Sequence, residues 1–264
     1  MSEKQGLKCL VTGAHGFLGS HLVQRLEQLK YEVIPGDREG TVPDDIEIVF
    51  DNAAYGNLFT HEDIDRILEA NYYRVKKLLD NCKKVKPKAI VLTSTSSVNL
   101  PVQTVYSASK VLMEELAQRY DLPIVIVRPH KPYGIGDDPA HLIPKVFGSC
   151  LKGEILEIDP SPVHDYVYIE DYINILIVLA KNVKQDIVEI GSGKPTSNIE
   201  ILARIERITG YKANYILSDK SRNYDSLDWY YKGDSLYLPT DLDTGLKKIY
   251  EHYKQGLKEK NNYN

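Results

Sequence analysis

The sequence predicts an α/β fold: a parallel sheet covered by helices on both faces, followed by a smaller, less regular C-terminal part. Three observations carry this. Short apolar runs alternate with helical periodicities up to about Pro129. A glycine-rich turn joins the first run to the first helix. After Pro129 the texture changes, with prolines at Pro132, Pro139, Pro144, Pro160 and Pro162 between irregular apolar runs.

Taken in order, Leu7–Val11 is a compact apolar run, hence the first strand. Leu18, Leu22, Leu26 and Leu29 recur at helical spacing and make Gly16–Lys30 an amphipathic helix. Glu32–Ile34 and Ile46–Phe50 are the next strands. His61–Lys84 reads as one long helix, Ala89–Leu92 as a strand, Ser107–Tyr120 as a helix and Ile124–Val127 as a β-branched strand. Beyond the proline-rich stretch, Ile169–Leu179 is helical, Ile187–Ile190 is a strand and Asn198–Ile208 is a helix. The polar end from Asn261 to Asn264 reads as a frayed tail.

Composition narrows the class. Apolar residues make up 42% and charged residues 27% of the 264 positions, a globular balance rather than a disordered one. The net charge of −4 supplies no basic field for nucleic acid. Cys9, Cys82 and Cys150 have neither metal-knuckle nor redox-pair spacing and suit a reducing compartment. No metal site is expected. The N-terminal stretch lacks a signal-peptide profile, and no apolar run approaches the roughly 20 residues that span a bilayer. The expected location is the cytoplasm, with no membrane partner.

The strongest local signal is Gly13-Ala14-His15-Gly16-Phe17-Leu18-Gly19, three glycines at three-residue spacing between a strand and a helix. Such glycines let backbone approach a pyrophosphate, which then faces the positive end of a helix. This is the turn of a Rossmann-type doubly wound fold. Asp37, 18 positions beyond Gly19, follows the second strand, where a carboxylate accepts from adenosine ribose hydroxyls and favours NAD. Arg38 beside it would instead pair with the 2′-phosphate of NADP.

Only eleven residues separate Ile34 from Ile46. Extended, they reach about 36 Å, enough to cross a sheet edge and too little for a crossover helix. The third strand unit of the Rossmann core is therefore expected to be missing.

Tyr106 and Lys110 stand four apart and share a helix face. A lysine there lowers a tyrosine pKa and makes it a usable acid or base. Tyr72/Lys76, Tyr73/Lys77 and Tyr250/Lys254 have the same spacing, but only Tyr106 follows a strand ending in a hydroxyl-rich run, Thr93-Ser94-Thr95-Ser96-Ser97. Such a run at the carboxyl end of a parallel strand faces the ligand crevice.

From Leu7 to about Tyr253 the chain resembles the extended short-chain dehydrogenase/reductases, the NAD-dependent epimerases, dehydratases and reductases of nucleotide-sugars. The resemblance is carried by Thr12–Gly19, by Asn52-Ala53-Ala54, and by Asn71, which heads a stretch where Arg74 and Val75 replace a Gly-Thr. Tyr106-Ser107-Ala108-Ser109-Lys110, Arg128–Gly136, His164–Asp171 and Ile190–Gly193 complete it.

The resemblance implies Thr95, Tyr106 and Lys110 as the catalytic group. It implies cofactor contacts at Gly13, His15, Gly16, Phe17, Leu18, Gly19, Asp37, Arg38, Ala53, Ala54, Asn71, Thr93, Tyr106, Lys110 and Pro129. Substrate contacts are expected at Thr95, Ser96, Lys131, Lys145 and His164. Lys131 replaces an asparagine that often touches substrate. His164 replaces a diphosphate-binding arginine; a lone loop histidine is more often simply solvated, and Lys145 or Arg222 would then compensate. Ser96 and Ser97 stand where dehydratases of this type carry Asp-Glu, which argues against 4,6-dehydration.

The resemblance also implies residues 1–134, with 163–193 returning, as the dinucleotide-binding domain, and 135–162 plus 194–264 as the substrate-binding subdomain. The expected activity is reduction of a 4-keto nucleotide-sugar with NAD or NADP, with a 4-epimerase as alternative and a non-catalytic cofactor sensor behind both. A homodimer is expected through His61–Lys84 and Ser107–Tyr120, with Arg66 and Arg74 making the first helix's outer face polar.

Overall fold

A computed structural model describes residues 6–58, 60–184, 186–218, 230–233 and 237–261. It divides into two compact units. The first comprises the chain to Pro129 together with Tyr172–Glu189; the second comprises His130–Asp171 and the chain from Ile190 onward.

In chain order the elements are β1 (Lys8–Thr12), α1 (Phe17–Gln28), β2 (Glu32–Pro35), β3 (Ile48–Asp51), α2 (Ile64–Leu68), a π-helical turn (Glu69–Tyr73) and α3 (Arg74–Val85). Next come β4 (Ala89–Thr93), a 3-10 turn (Ser96–Asn99), α4 (Val105–Ala117), β5 (Ile124–Pro129), β6 (Lys131–Tyr133), α5 (Leu142–Lys152), β7 (Leu156–Ile158) and β8 (Val163–Tyr168). The remainder are α6 (Ile169–Lys181), β9 (Asp186–Ile190), β10 (Pro195–Ser197), α7 (Asn198–Thr209), β11 (Tyr215–Leu217) and α8 (Leu242–Asn261).

The main sheet runs β2-β1-β3-β4-β5-β9 and is parallel from β2 to β5. Strand order reverses at β1, whose neighbours are β2 on one side and β3 on the other. The crevice outside the carboxyl ends of β1 and β3 is therefore the switch point where such sheets bind ligands. β4 is buried along its whole length, as a strand covered on both faces must be.

Residues 36–47 carry neither helix nor strand. They lie on α3, where Asn81 Nδ2 donates to the Gly40 carbonyl at 2.9 Å. Val42 and Ile46 from this segment sink into the core beside Leu78, Leu79 and Val49. Each contributes roughly 1.5–3 kcal/mol of burial, which anchors a connection too short for a helix.

Two helical expectations need correction. His61–Lys84 is not one regular helix: it starts at Ile64, capped by Asp63 accepting from Arg66 N at 3.0 Å, and widens through the π turn before α3. Arg74 is not on its outer face. It is 4% exposed and points inward. The next helix begins at Val105, two residues early, because Thr104 and Ser107 cap it reciprocally: Ser107 N donates to Thr104 Oγ1 at 3.1 Å and Thr104 N to Ser107 Oγ at 2.8 Å. Serine stands where the usual capping box has Glu or Gln, so the signal was hidden.

The second unit contains a three-stranded sheet, β10-β8-β6, and a two-stranded one, β11-β7. β8 belongs here, so the segment returning to the first unit is Tyr172–Glu189 rather than 163–193, and the first unit ends at Pro129 rather than at residue 134. Loops here are held by two carboxylates, buried Asp165 and half-buried Asp171. Asp165 accepts from Ser192 N and Oγ (2.8 and 2.6 Å), Gly193 N (2.8 Å) and Tyr231 N (3.1 Å). Asp171 accepts from Thr240 N and Oγ1 at 2.7 and 3.0 Å. The tail residues 262–264 lie outside the described residues. Among the described residues, no helix is long and apolar enough to cross a membrane, and no His/Cys/Asp/Glu group is placed to hold a metal ion.

Candidate active site

The carboxyl ends of β1, β3 and β4 gather the chemistry of the first unit. Gly13 follows β1 with φ +64°, and a Cβ there would lie 2.9 Å from Ala53 N and 3.0 Å from Ala53 Cα. Only glycine fits so close to the neighbouring strand end. A Cβ at Gly19 would strike the Gly13 carbonyl at 2.0 Å, so α1 packs directly on the turn. Gly16 is the N-cap of α1. No side chain caps this helix, and its first turn has no acidic residue. Those uncapped N–H groups and the helix dipole fit an anion such as a pyrophosphate. His15 is exposed beside Gly16, with Phe17 and Leu18 partly exposed behind it.

A buried charged group lies at the paired ends of β1 and β3. Arg74 Nη1 and Nη2 donate to the two Asp51 oxygens at 2.7 and 3.0 Å. Thr12 Oγ1 donates to Asp51 Oδ1 at 2.5 Å. Burial pushes the Asp51 carboxyl up, but the Arg74 guanidinium, helped by Thr12 and Lys110, outweighs it and holds it below the usual range. Next along, Thr93 Oγ1 donates to Asn52 Oδ1 at 2.8 Å. Asn52 Nδ2 is buried with no hydrogen-bond partner. A buried unpaired donor is costly, so this amide fits a ligand acceptor.

The first turns of α4 carry Tyr106 and Lys110. Lys110 is 2% exposed, and its ammonium donates to the Thr93 carbonyl at 2.8 Å. Burial pulls its pKa down to about 8, with Asp51 and Glu114 acting upward and Arg74 downward. Tyr106 is partly exposed, and burial pushes its phenol up to about 12. This departs from the expected lowering, because desolvation is the influence that acts on it here. Thr95 is partly exposed and caps the 3-10 turn, accepting from Ser97 N at 3.2 Å, with Ser97 Oγ 3.0 Å away. That turn packs against α4. Glu114 ties the arrangement together by accepting from Ser94 Oγ and from Arg128 Nε and Nη2, the latter at 2.9 and 2.5 Å.

Several expected contacts take different parts. Asn71 has no exposed surface. Its Nδ2 donates to Tyr55 O (2.8 Å) and Ser109 Oγ (2.9 Å), and its Oδ1 accepts from Tyr55 N (3.0 Å). It therefore holds the loop after β3 to α4 rather than facing a cofactor. Ser96, expected to touch substrate, is 0% exposed in the 3-10 turn. His164 is 3% exposed within β8, paired across to Thr196, and is not a solvated loop residue. Lys131 is half-buried in β6 and Lys145 is exposed on α5. Arg222 lies outside the described residues. Asp37 is exposed and accepts from Thr41 N at 2.9 Å; the Thr41 hydroxyl is the main influence holding its carboxyl low. Arg38 is exposed, Ala54 exposed, Ala53 partly exposed and Pro129 buried at the end of β5.

Sequence reasoning missed Asn52 and the Thr12–Asp51–Arg74 group as site components. Arg74 carried a signal: it stands where related sequences have glycine, and a charged residue entering a buried position demands a partner.

The profile of the NAD dependent epimerase/dehydratase family matches residues 9–191. A UDP-glucose epimerase of Bacillus subtilis, YtcB, itself uncharacterised, is 27% identical over 84% of this chain and 89% of its own length. A putative UDP-glucose 4-epimerase of Methanocaldococcus jannaschii is 27% identical over 91% of this chain and 96% of its own. Among solved structures, MoeE5 in complex with UDP-glucose and NAD superposes with a TM-score of 0.85 at 23% identity, covering 95% of this chain and 99% of that one. That likeness shows the same Rossmann-type fold. With most of its length matched by the family profile, the chain belongs to the NAD-dependent epimerase/dehydratase family.

Proposed function

We propose that this protein is an NAD-dependent nucleotide-sugar 4-epimerase that keeps its cofactor through the cycle. The observation that carries the reading is the shared crevice edge of the first unit, where the uncapped N-terminus of α1, the unpaired Asn52 amide and buried Lys110 with Tyr106 one turn before it all gather. The relatives named as UDP-glucose epimerases supply the substrate class.

Within this reading, the Gly13–Gly19 turn holds the pyrophosphate, and Lys110, fixed on the Thr93 carbonyl, holds the nicotinamide ribose. His15, Phe17, Leu18, Ala53, Ala54, Thr93 and Pro129 line the same edge. NAD, when bound, would supply the hydride acceptor for the sugar carbon and a positive charge in the site. Tyr106 removes the C4 hydroxyl proton and later returns it. Its phenol must fall from about 12 to do so, and Lys110, cationic below about pH 8, supplies part of that pull. Thr95 orients the substrate oxygen. The two residues directly after Thr95 are Ser96 and Ser97 rather than carboxylates, so the 4,6-dehydratase acid pair is lacking.

The 4-ketoreductase is the second reading. The exposed Asp37 and Arg38 and the short 36–47 segment favour it, because a cofactor gripped less on its adenine side exchanges more readily. Asp37 favours NAD over NADP in either case.

One incubation separates the readings. UDP-, dTDP-, GDP- and CDP-sugars and their 4-keto forms are mixed with the protein, with and without NADH or NADPH. Epimerisation without net change at 340 nm supports the first reading. Reduced cofactor consumed in proportion to a 4-keto sugar supports the second.

We further propose a homodimer through α2–α3 and α4. Ile64, Tyr73, Val105 and Leu112 lie 41–53% exposed on these helices, an apolar set suited to burial against a second copy. Light scattering at micromolar concentration checks it: twice the 30.0 kDa chain mass is expected, and a monomer sinks it.

A further inference from the structure

Arg74 stands where the family motif that this stretch resembles has glycine, and the mechanism above does not use it. Four of its five N–H donors are engaged: two on Asp51, one on the Ala70 carbonyl at 3.0 Å and one on the Ala53 carbonyl at 3.0 Å. Thr12 completes the group from the other side. Its hydroxyl donates to Asp51 and accepts from Ala53 N at 3.1 Å. The N–H and the C=O of Ala53 are thus both fixed by side chains, beyond the point where β3 ends.

The position of Ala53 matters for the cofactor turn. Ala53 N and Cα are the atoms that a side chain at Gly13 would strike first. The width of the gap between the glycine turn and the Asn52–Ala53 backbone therefore depends on where Ala53 is held. Stability alone is a weak reason for such a group, since a buried ion pair is often no better than well-packed apolar side chains of similar volume. A guanidinium that reaches a carboxylate and two carbonyls in one plane does what apolar packing cannot: it sets backbone position.

We propose that Arg74 is a positioning residue for the dinucleotide, acting through Asp51 and the Ala53 carbonyl on the gap beside Gly13. The proposal rests on the reading that the glycine turn binds NAD. Asp51 neutralises the guanidinium, so the brace introduces no net charge beside Lys110.

The test is calorimetric titration of NAD⁺ into the cofactor-stripped full chain, with thermal unfolding recorded in parallel. Arg74→Met, Thr12→Val and the double variant are compared with wild type at a temperature where all are folded. Arg74→Met weakens NAD⁺ binding roughly tenfold, the size expected for groups in one hydrogen-bonded network. The double variant loses less than the product of the single losses, because both side chains restrain Ala53. Should Arg74→Met fail to fold, Arg74→Lys keeps the charge for Asp51 but not the fork to Ala53, and binds NAD⁺ about threefold more weakly. A folded Arg74→Met or Arg74→Lys with a lowered melting temperature but wild-type affinity makes Arg74 a core ion pair only and overturns the proposal. Wild-type protein that does not bind NAD⁺ overturns the dinucleotide reading and this proposal with it.

Discussion

The two units place their polar groups by different means. In the first, the backbone ladder does it. Parallel strands in register bring Thr12 opposite Asp51 and carry Thr93 to the same edge, so the functional groups follow from strand order. In the second, strands are short and loops are fastened by single side chains, with Asp165 gathering four donors and Asp171 two. On the proposed reading, reaction chemistry, which needs fixed geometry, is assigned to the ladder, and sugar recognition to side-chain fastenings that single substitutions can change.

The largest expected effect lies in the first unit. Tyr106→Phe removes the acid–base hydroxyl and keeps the ring, so kcat falls about 10²–10⁴-fold while NAD⁺ affinity stays within a few-fold. Near wild-type turnover would remove Tyr106 from the chemistry.

Asp165→Asn probes the contrast from the other side. A buried carboxylate with four donors loses part of that set, costing about 2–3 kcal/mol in denaturant unfolding. Substrate KM is expected to rise with NAD⁺ affinity unchanged. A parallel loss of NAD⁺ affinity would break the separation of roles.

Lys110 gives a pH signature of similar size. Its folded pKa of about 8 lies below the ordinary 10.5, so between those values the unfolded chain holds more protons and stability rises with pH. The contribution approaches ~3 kcal/mol across that window. Urea unfolding at pH 7.5 and 10 should show the rise in wild type and lack it in Lys110→Met. An identical pH response in both would mean that Lys110 is not held in a low-dielectric site.

The smallest effect is expected at Asp37, which is exposed and already turned to Thr41. Asp37→Ala weakens NAD⁺ about two- to fivefold and narrows the preference over NADP⁺, at roughly 1 kcal/mol for one hydrogen bond. A loss as large as that expected from a side chain at Gly13, which would strike Ala53 N at 2.9 Å, would mean that the trimmed adenine side grips harder than its exposure implies.

Much of the first unit was legible because its signals are local. Leu18, Leu22 and Leu26 announce α1, and the β-branched runs announce the strands. The short span from Ile34 to Ile46 leaves no room for a helix. What stayed hidden was non-local or unusual. A π turn has no sequence period of its own, so Asn71 could not be turned inward in advance. Arg74 reads as surface until Asp51 is known to face it. Ser107 acts as half of a capping box usually built with Glu or Gln. In the second unit, α5 and α8 and the pairing of β8 with β6 and β10 went unread, because prolines broke the periodicity and β8 meets partners distant in sequence.

On the proposed reading, this crevice edge oxidises and re-reduces C4 of a nucleotide-sugar. This is tested most directly with UDP-glucose deuterated at C4, the product being read by mass and proton resonance. Wild type is expected to form UDP-galactose that retains deuterium at C4, and Tyr106→Phe is not. Product carrying solvent hydrogen at C4, or equal conversion by both proteins, would contradict it.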